Sequence, residues 1–190
     1  MIINRMEEHI QVIEMVKNET MRAKIARAAE LCRHAIQNGG KILFCGNGGS
    51  AADCQHLAAE IVGRFLKERA GWPAIALTTD TSILTAVAND YGYNAVFSRQ
   101  VEALCQKGDV LFGFSTSGNS DNVIAAIEQA KLKGGITIGM TGKNGGRMLE
   151  LCDININVAC DVTARVQETH ILIGHIICEL IEADVDEVVK

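Results

Sequence analysis

The sequence has no excess of positive charge: 18 Lys and Arg stand against 23 Asp and Glu, for a net charge of -5. Nucleic-acid backbones are met by basic patches, so DNA and RNA are poor candidates, and any bound phosphate must be held by local geometry. No apolar run reaches the roughly 18 residues that suggest a membrane-spanning helix. Met1-Ile2-Ile3 passes directly into charged residues, without the apolar stretch of a signal peptide. Neither membrane insertion nor secretion is expected. The seven cysteines (Cys32, Cys45, Cys54, Cys105, Cys152, Cys160 and Cys178) are odd in number and include no Cys-x-x-Cys pair, which argues against a disulfide framework or a zinc ribbon. They read as small core residues in a reducing compartment, and the chain as a cytoplasmic protein. Linker and low-complexity segments are also missing, so nothing divides the 190 residues.

What is present is ordinary globular balance, with 48% hydrophobic and 22% charged residues. That suits one domain with a sizeable core and some apolar surplus for subunit contacts. From Met6 to Gln37 apolar residues recur every three or four positions, with an interruption near Asn18 and Thr20. This predicts two helices or one bent helix, ending at Asn38-Gly39-Gly40. Beyond it, apolar strand candidates (41–45, 74–78, 109–114, 136–140 and 153–158) alternate with helical patterns (51–66, 82–88, 95–105, 121–133 and 161–183). The alternation predicts an α/β fold, a three-layer sandwich whose central parallel sheet of about five strands is covered by helices on both faces. Ligands of such sheets sit outside the carboxyl ends of the strands.

Two loops fall at such ends. Ser115-Thr116-Ser117-Gly118-Asn119-Ser120 leads from a strand into a helix, where free N–H groups and the helix dipole favour an anion. An ordinary N-cap accounts for one hydroxyl, whereas this loop carries serines at 115, 117 and 120. Gly46-Asn47-Gly48-Gly49-Ser50-Ala51 matches the dinucleotide pattern G-x-G-x-x-A. The acid expected about 20 residues later is missing, since Asp80 lies far beyond that spacing. The loop is better suited to bring backbone and the side chains of Asn47 and Ser50 close to a polyhydroxy ligand.

His56 and Glu60 are four apart on a predicted helix and share a face, so they can share a metal or a ligand. On the last helix His175 stands among Ile171, Leu172, Ile173, Ile176, Ile177, Leu180 and Ile181, which predicts a buried imidazole in need of a partner. Gln167 and Glu168 lie about two turns earlier. Either could reach the same site, with helical geometry slightly favouring Glu168. His9, His34 and His170 are expected to be structural or solvated.

Together these segments resemble the SIS (sugar isomerase) domains and, within them, the bacterial sedoheptulose 7-phosphate isomerases. The resemblance rests on Cys-Gly-Asn-Gly-Gly-Ser (45–50), His-Leu-Ala-Ala-Glu (56–60) with Gly63-Arg64, Ala-Asn-Asp-Tyr-Gly (88–92), Ser-Thr-Ser-Gly-Asn-Ser (115–120) and Arg-Val-Gln-Glu-Thr-His (165–170) with His175. It spans nearly the whole chain. It implies an SIS domain over 1–190 with flavodoxin-like architecture, whose helical segment 1–38 serves oligomer contacts. It also implies one Zn2+ per subunit held by His56, Glu60, Gln167 and His175, with Glu60 and His175 as the acid-base pair. Substrate contacts are implied for Asn47, Gly48, Gly49, Ser50, Glu60, Arg64, Asn89, Asp90 and Gln167, and phosphate contacts for Ser115, Thr116, Ser117 and Ser120.

The implied reaction turns sedoheptulose 7-phosphate into D-glycero-D-manno-heptose 7-phosphate through an enediol, towards activated heptose for lipopolysaccharide or related glycans. The implied assembly is a cytoplasmic homotetramer with active sites between subunits. Ala164 departs from the pattern, because some members carry Asp before the Arg of Arg-x-Gln. A non-catalytic SIS module that binds sugar phosphates or a partner protein is the rival reading, though it has no use for His56, Glu60 and His175 together. A nucleotide-binding oxidoreductase resting on the first glycine loop ranks below both.

Overall fold

The computed structural model describes residues 1–183. The amphipathic N-terminal stretch forms two helices, α1 (Ile2–Val16) and α2 (Glu19–Gln37). The break is set at Asn18, whose side chain caps α2 by accepting the Met21 N–H at 2.9 Å. The helix α2 buries one stripe, Met21, Ile25, Ala28, Ala29, Cys32 and Ala35. Alternation then follows: β1 (Ile42–Gly46), α3 (Gly49–Val62), β2 (Ala74–Ala76), α4 (Thr81–Tyr91), a 3-10 turn (Tyr93–Ala95), α5 (Ser98–Leu104), β3 (Val110–Ser115), α6 (Asp121–Leu132), β4 (Ile136–Gly142), α7 (Met148–Leu151), β5 (Ile154–Val158) and α8 (Thr163–Glu182).

The five strands form one parallel sheet in the order β2-β1-β3-β4-β5. Strands buried on both faces send alternate side chains to opposite layers. Ile42 and Phe44 join Val110, Phe112, Phe114, Ile138 and Met140 in a core with α2, α3 and α8. Leu43, Cys45 and Leu111 face a second core with α5, α6 and α7. The expected three-layer α/β sandwich is therefore the observed one. At Gly113 a side chain would lie 2.9 Å from Val123 and 3.0 Å from Ile127, so the small residue lets α6 pack tightly on β3.

The strand order positions the site. The chain runs from β1 outward to β2, then returns to place β3 on the other side of β1. Open α/β sheets bind ligands at such a switch point, outside the strands' carboxyl ends, where the loops after β1 and β3 lie. The two loops singled out in the sequence are these two.

Several elements differ from expectation, among them β2, which ends at Ala76, and α4, which runs to Tyr91. The helix α3 stops at Val62 instead of continuing to 66, because Gly63 ends it and the following residues turn towards the end of α8. The stretch 95–105 divides into a 3-10 turn and α5. The four-residue α7 is too short to show a helical period.

Candidate active site

In the serine loop, β3 ends on the buried Ser115, and its Oγ lies 2.8 Å from Ser120 Oγ and 3.3 Å from Ser117 Oγ. Three hydroxyls thus converge at the N-terminus of α6, with Thr116 half-buried between them. The Ser120 side chain, at the N-cap, makes no cap bond to the helix. Gly118 (φ +67°) makes the turn, and a side chain there would lie 2.0 Å from the Gly145 carbonyl oxygen. The loop after β4 backs it: the Met148 N–H donates to Gly118 O at 3.1 Å, the Arg147 N–H to Asn119 Oδ1 at 3.0 Å, and Arg147 pairs with Asp121 at 2.8 Å. Hydroxyls and free N–H groups gathered at a helix N-terminus can receive an anion.

In the loop after β1, Asn47 is held by neighbouring side chains, while Gly48 and Gly49 are exposed. Gly49 leaves room for Gln167, whose Nε2 would stand 2.6 Å from a Cβ at that position. Ser50 is 3% exposed, packed beside Gly46, so the structure places it inside the loop's support.

The third part joins α3 and α8. His56 Nε2 lies 2.8 Å from His175 Nε2 and 3.2 Å from Glu60 Oε1. Among the described residues, this is the one cluster of three or more His, Cys, Asp or Glu ligand atoms, all within 4.8 Å of one another. Two imidazole nitrogens and a carboxylate oxygen are the donor set of borderline divalent cations. Phe65 stacks on the His175 ring at 5.5 Å and 17°, which fixes its plane.

His175 itself corrects an expectation. It is half-buried, because α8 divides its apolar residues between two faces. Ile173, Ile177, Cys178 and Ile181 enter the core, while Leu172, Ile176 and Leu180 remain 37 to 38% exposed. The buried histidine is His170, whose Nε2 meets the Thr141 carbonyl at 3.0 Å and whose ring packs edge-on against Phe114. Burial pulls its pKa down to about 4, against the smaller opposing effect of the Thr141 bond. The geometric preference for Glu168 also fails. Glu168 is turned to His9 at 2.8 Å and Arg165 at 2.6 Å, whereas Gln167 faces the glycine loop.

Other candidates stand apart. Asn89 and Asp90 are exposed in the last turn of α4 and bond to each other at 2.8 Å. Among the described residues, neither is hydrogen-bonded to the cluster or to the serine loop. Arg64 is exposed and paired with Glu68 at 3.5 Å. Asp53, absent from the sequence candidates, lies one turn before His56 on α3. Its Oδ2 is buried without a hydrogen-bond partner among the described residues. Burial raises its carboxyl above the ordinary aspartate value, against the attraction of His56. Its i, i+3 spacing from His56 was the available signal.

The SIS domain family model matches residues 6–142, which is most of the chain but ends before the helix that carries Gln167 and His175. The chain is 58% identical over 175 residues to a phosphoheptose isomerase of Nitratiruptor, covering 92% of this chain and 93% of that one. Among solved structures, phosphoheptose isomerase from Neisseria gonorrhoeae superposes with a TM-score of 0.89 at 45% identity, covering 96% and 97% of the two chains. The Francisella tularensis phosphoheptose isomerase gives 0.92 at 38%, with the same coverage. The serine cup, the glycine loop and the His-Glu-His cluster agree with these likenesses, and the chain belongs to the SIS domain family, among its phosphoheptose isomerases.

Proposed function

We propose that this protein isomerises sedoheptulose 7-phosphate to D-glycero-D-manno-heptose 7-phosphate, an early step towards activated heptose. The reading is carried by the His56-Glu60-His175 cluster, with separations of 2.8 and 3.2 Å, in a chain so similar to phosphoheptose isomerases. A ketose becomes an aldose when a proton leaves C1 and one arrives at C2, while a proton moves between the two oxygens. Glu60 takes the proton from C1 and returns it to C2. His175, held flat by Phe65, passes the proton between O1 and O2. Ser115, Thr116, Ser117 and Ser120 anchor the phosphate at the far end, so the reacting carbons are presented to Glu60 instead of diffusing past it. Asn47, Gly48, Gly49 and Gln167 border the sugar, and the buried Ser50 supports their loop.

His56, Glu60 and His175, joined by the Gln167 amide, would hold a divalent cation, for which we infer Zn2+, one per subunit. When bound, such a cation stabilises negative charge on the carbonyl oxygen. The open Leu172, Ile176 and Leu180 stripe and the exposed apolar residues Ile2, Ile3, Met6 and Ile10 of α1 support a homotetramer whose sites lie between subunits. The absence of any helix long and apolar enough to cross a membrane among the described residues is in keeping with work in the cytoplasm.

The test follows sedoheptulose 7-phosphate by NMR with and without added zinc. Conversion to the aldose supports the reading, and no turnover by the zinc-loaded protein overturns it in favour of a binding module.

A further inference from the structure

Asn122 is the second residue of α6, immediately behind the serine cup, and it is 3% exposed. A buried amide requires partners, and Asn122 finds its partners 75 positions away in the chain. Its Nδ2 donates to Asn47 Oδ1 at 2.8 Å, and its Oδ1 accepts from Asn47 Nδ2 at 2.9 Å. The two side chains form a closed amide pair that ties the loop after β1 to the start of α6 at the switch point. A third residue reaches the same pair. The hydroxyl of Tyr93, in the 3-10 turn after α4, donates to Asn47 Oδ1 at 3.2 Å.

The donor and acceptor count of Asn47 then leaves little freedom. A carboxamide oxygen has two acceptor positions, and here one is filled by Asn122 and the other by Tyr93. The amide nitrogen has two hydrogens, and one is taken by Asn122. What remains for a ligand is a single N–H.

We propose that Asn122 is a positioning residue for the isomerisation: it locks the Asn47 amide so that Asn47 meets the sugar only as an N–H donor, with Tyr93 closing the remaining acceptor position. The inference rests on the isomerase reading above. It assigns the loop a preference for an acceptor oxygen, a carbonyl or a hydroxyl lone pair, at the point where Asn47 faces the substrate. A donor held in this way is already aimed before the substrate arrives, so the reorganisation that a free amide would need is avoided.

The experiment measures kcat, KM and Tm for the metal-loaded wild type, Asn122→Asp, Asn47→Ala and the double variant, with sedoheptulose 7-phosphate as substrate. Asn122→Asp keeps the size and still accepts from Asn47 Nδ2, but it sets an oxygen against Asn47 Oδ1 and turns the amide. A fall in kcat/KM of about tenfold is expected, shrinking to less than about twofold on the Asn47→Ala background, because the residue acts through Asn47. An equal loss of kcat/KM in both backgrounds would mean that Asn122 acts independently of Asn47, and a lower Tm with unchanged kinetics would mean a purely structural tie; either outcome overturns the proposal. Wild-type kinetics in Asn122→Asp also overturn it. Tyr93→Phe, at an exposed side chain, covers the case in which Asn122→Asp does not fold: kcat/KM should fall about threefold, the worth of one neutral hydrogen bond, and not at all on the Asn47→Ala background. An equal loss on both backgrounds overturns the proposal. A wild type without turnover overturns the isomerase reading and this inference together, whereas the other failures leave that reading intact.

Discussion

Glu182, the last residue of α8, is 1% exposed, and four donors converge on its carboxylate. Oε1 accepts from the Phe65 N–H at 2.8 Å and Arg69 Nε at 2.8 Å, while Oε2 accepts from the N–H groups of Leu66 at 2.8 Å and Lys67 at 2.9 Å. Arg69, equally buried, also donates to the carbonyls of Ile61 and Ala70 at 3.0 Å and lies 3.7 Å above the Trp72 ring. The substitution Glu182→Gln keeps the shape but offers one oxygen where two were used, and leaves the guanidinium a buried cation without its counter-charge. Removing one partner of such a pair costs about 3–5 kcal/mol. For a chain of this size that corresponds to a Tm lower by roughly 6–20 °C.

The pH dependence provides a second check on Glu182. Burial alone would raise its pKa, but the N–H groups of Lys67, Phe65 and Leu66 and the Arg69 charge hold it below the ordinary 4.5. A depressed carboxylate contributes stability that is present above its unfolded value and lost as the pH falls through the folded one. Thermal scans of both proteins should therefore differ most near pH 7 and converge below about pH 4.5. A Tm within about 3 °C of wild type at pH 7 would refute the reasoning, since it would mean that the four donors find other acceptors. Because Glu182 holds the Phe65 backbone, and Phe65 stacks on His175, kcat should fall as well.

Three further outcomes are expected. Glu60→Gln should lower kcat by about a thousandfold while metal analysis still finds some bound cation; wild-type turnover would remove Glu60 as the base. Ser117→Ala should raise KM about tenfold with kcat nearly unchanged, because its hydroxyl is proposed to hold the phosphate; the reverse split, read from initial rates, would place it in the chemistry. His170, neutral in the fold with a pKa of about 4, loses stability to the unfolded chain as the pH falls from the ordinary 6.5 towards 4. Between pH 7 and 4.5 the loss amounts to roughly 2 kcal/mol and should be absent in His170→Gln, which denaturant titrations at the two pH values would reveal.

The strands were legible because apolar runs such as 41–45 and 109–114 end in glycine or serine loops, and the strand-helix alternation admits few topologies. The site was legible in its parts: three serines at one helix start, and His56 and Glu60 on one face. What local pattern could not decide was settled by distant residues. His175 has apolar neighbours in sequence, yet the helix turns half of them outward. Gln167 and Glu168 differ by one step of about 100°, and the side taken by Glu168 is fixed by His9, 159 positions away. His170 gave no sign of burial because the ring it packs on, Phe114, belongs to β3. The amide pair of Asn47 and Asn122 was equally invisible, because neither residue carries a spacing that points to the other.

The serine cup combines a fixed frame with movable contacts. A side chain at Gly118 would collide with Gly145, while the Ser115 hydroxyl meets those of Ser117 and Ser120, and the oxygens of Ser115 and Ser117 also accept the N–H groups of Ser120 and Asn119. A hydroxyl proton swings about its C–O bond without displacing any heavy atom. Anion capture then costs three torsional turns instead of the ordering of a loop, so phosphate should enter and leave quickly, with little change in the exchange rates of the surrounding amides. On the proposed reading, the phosphate meets a rigid socket with rotating pins, and turnover would not wait on the loop.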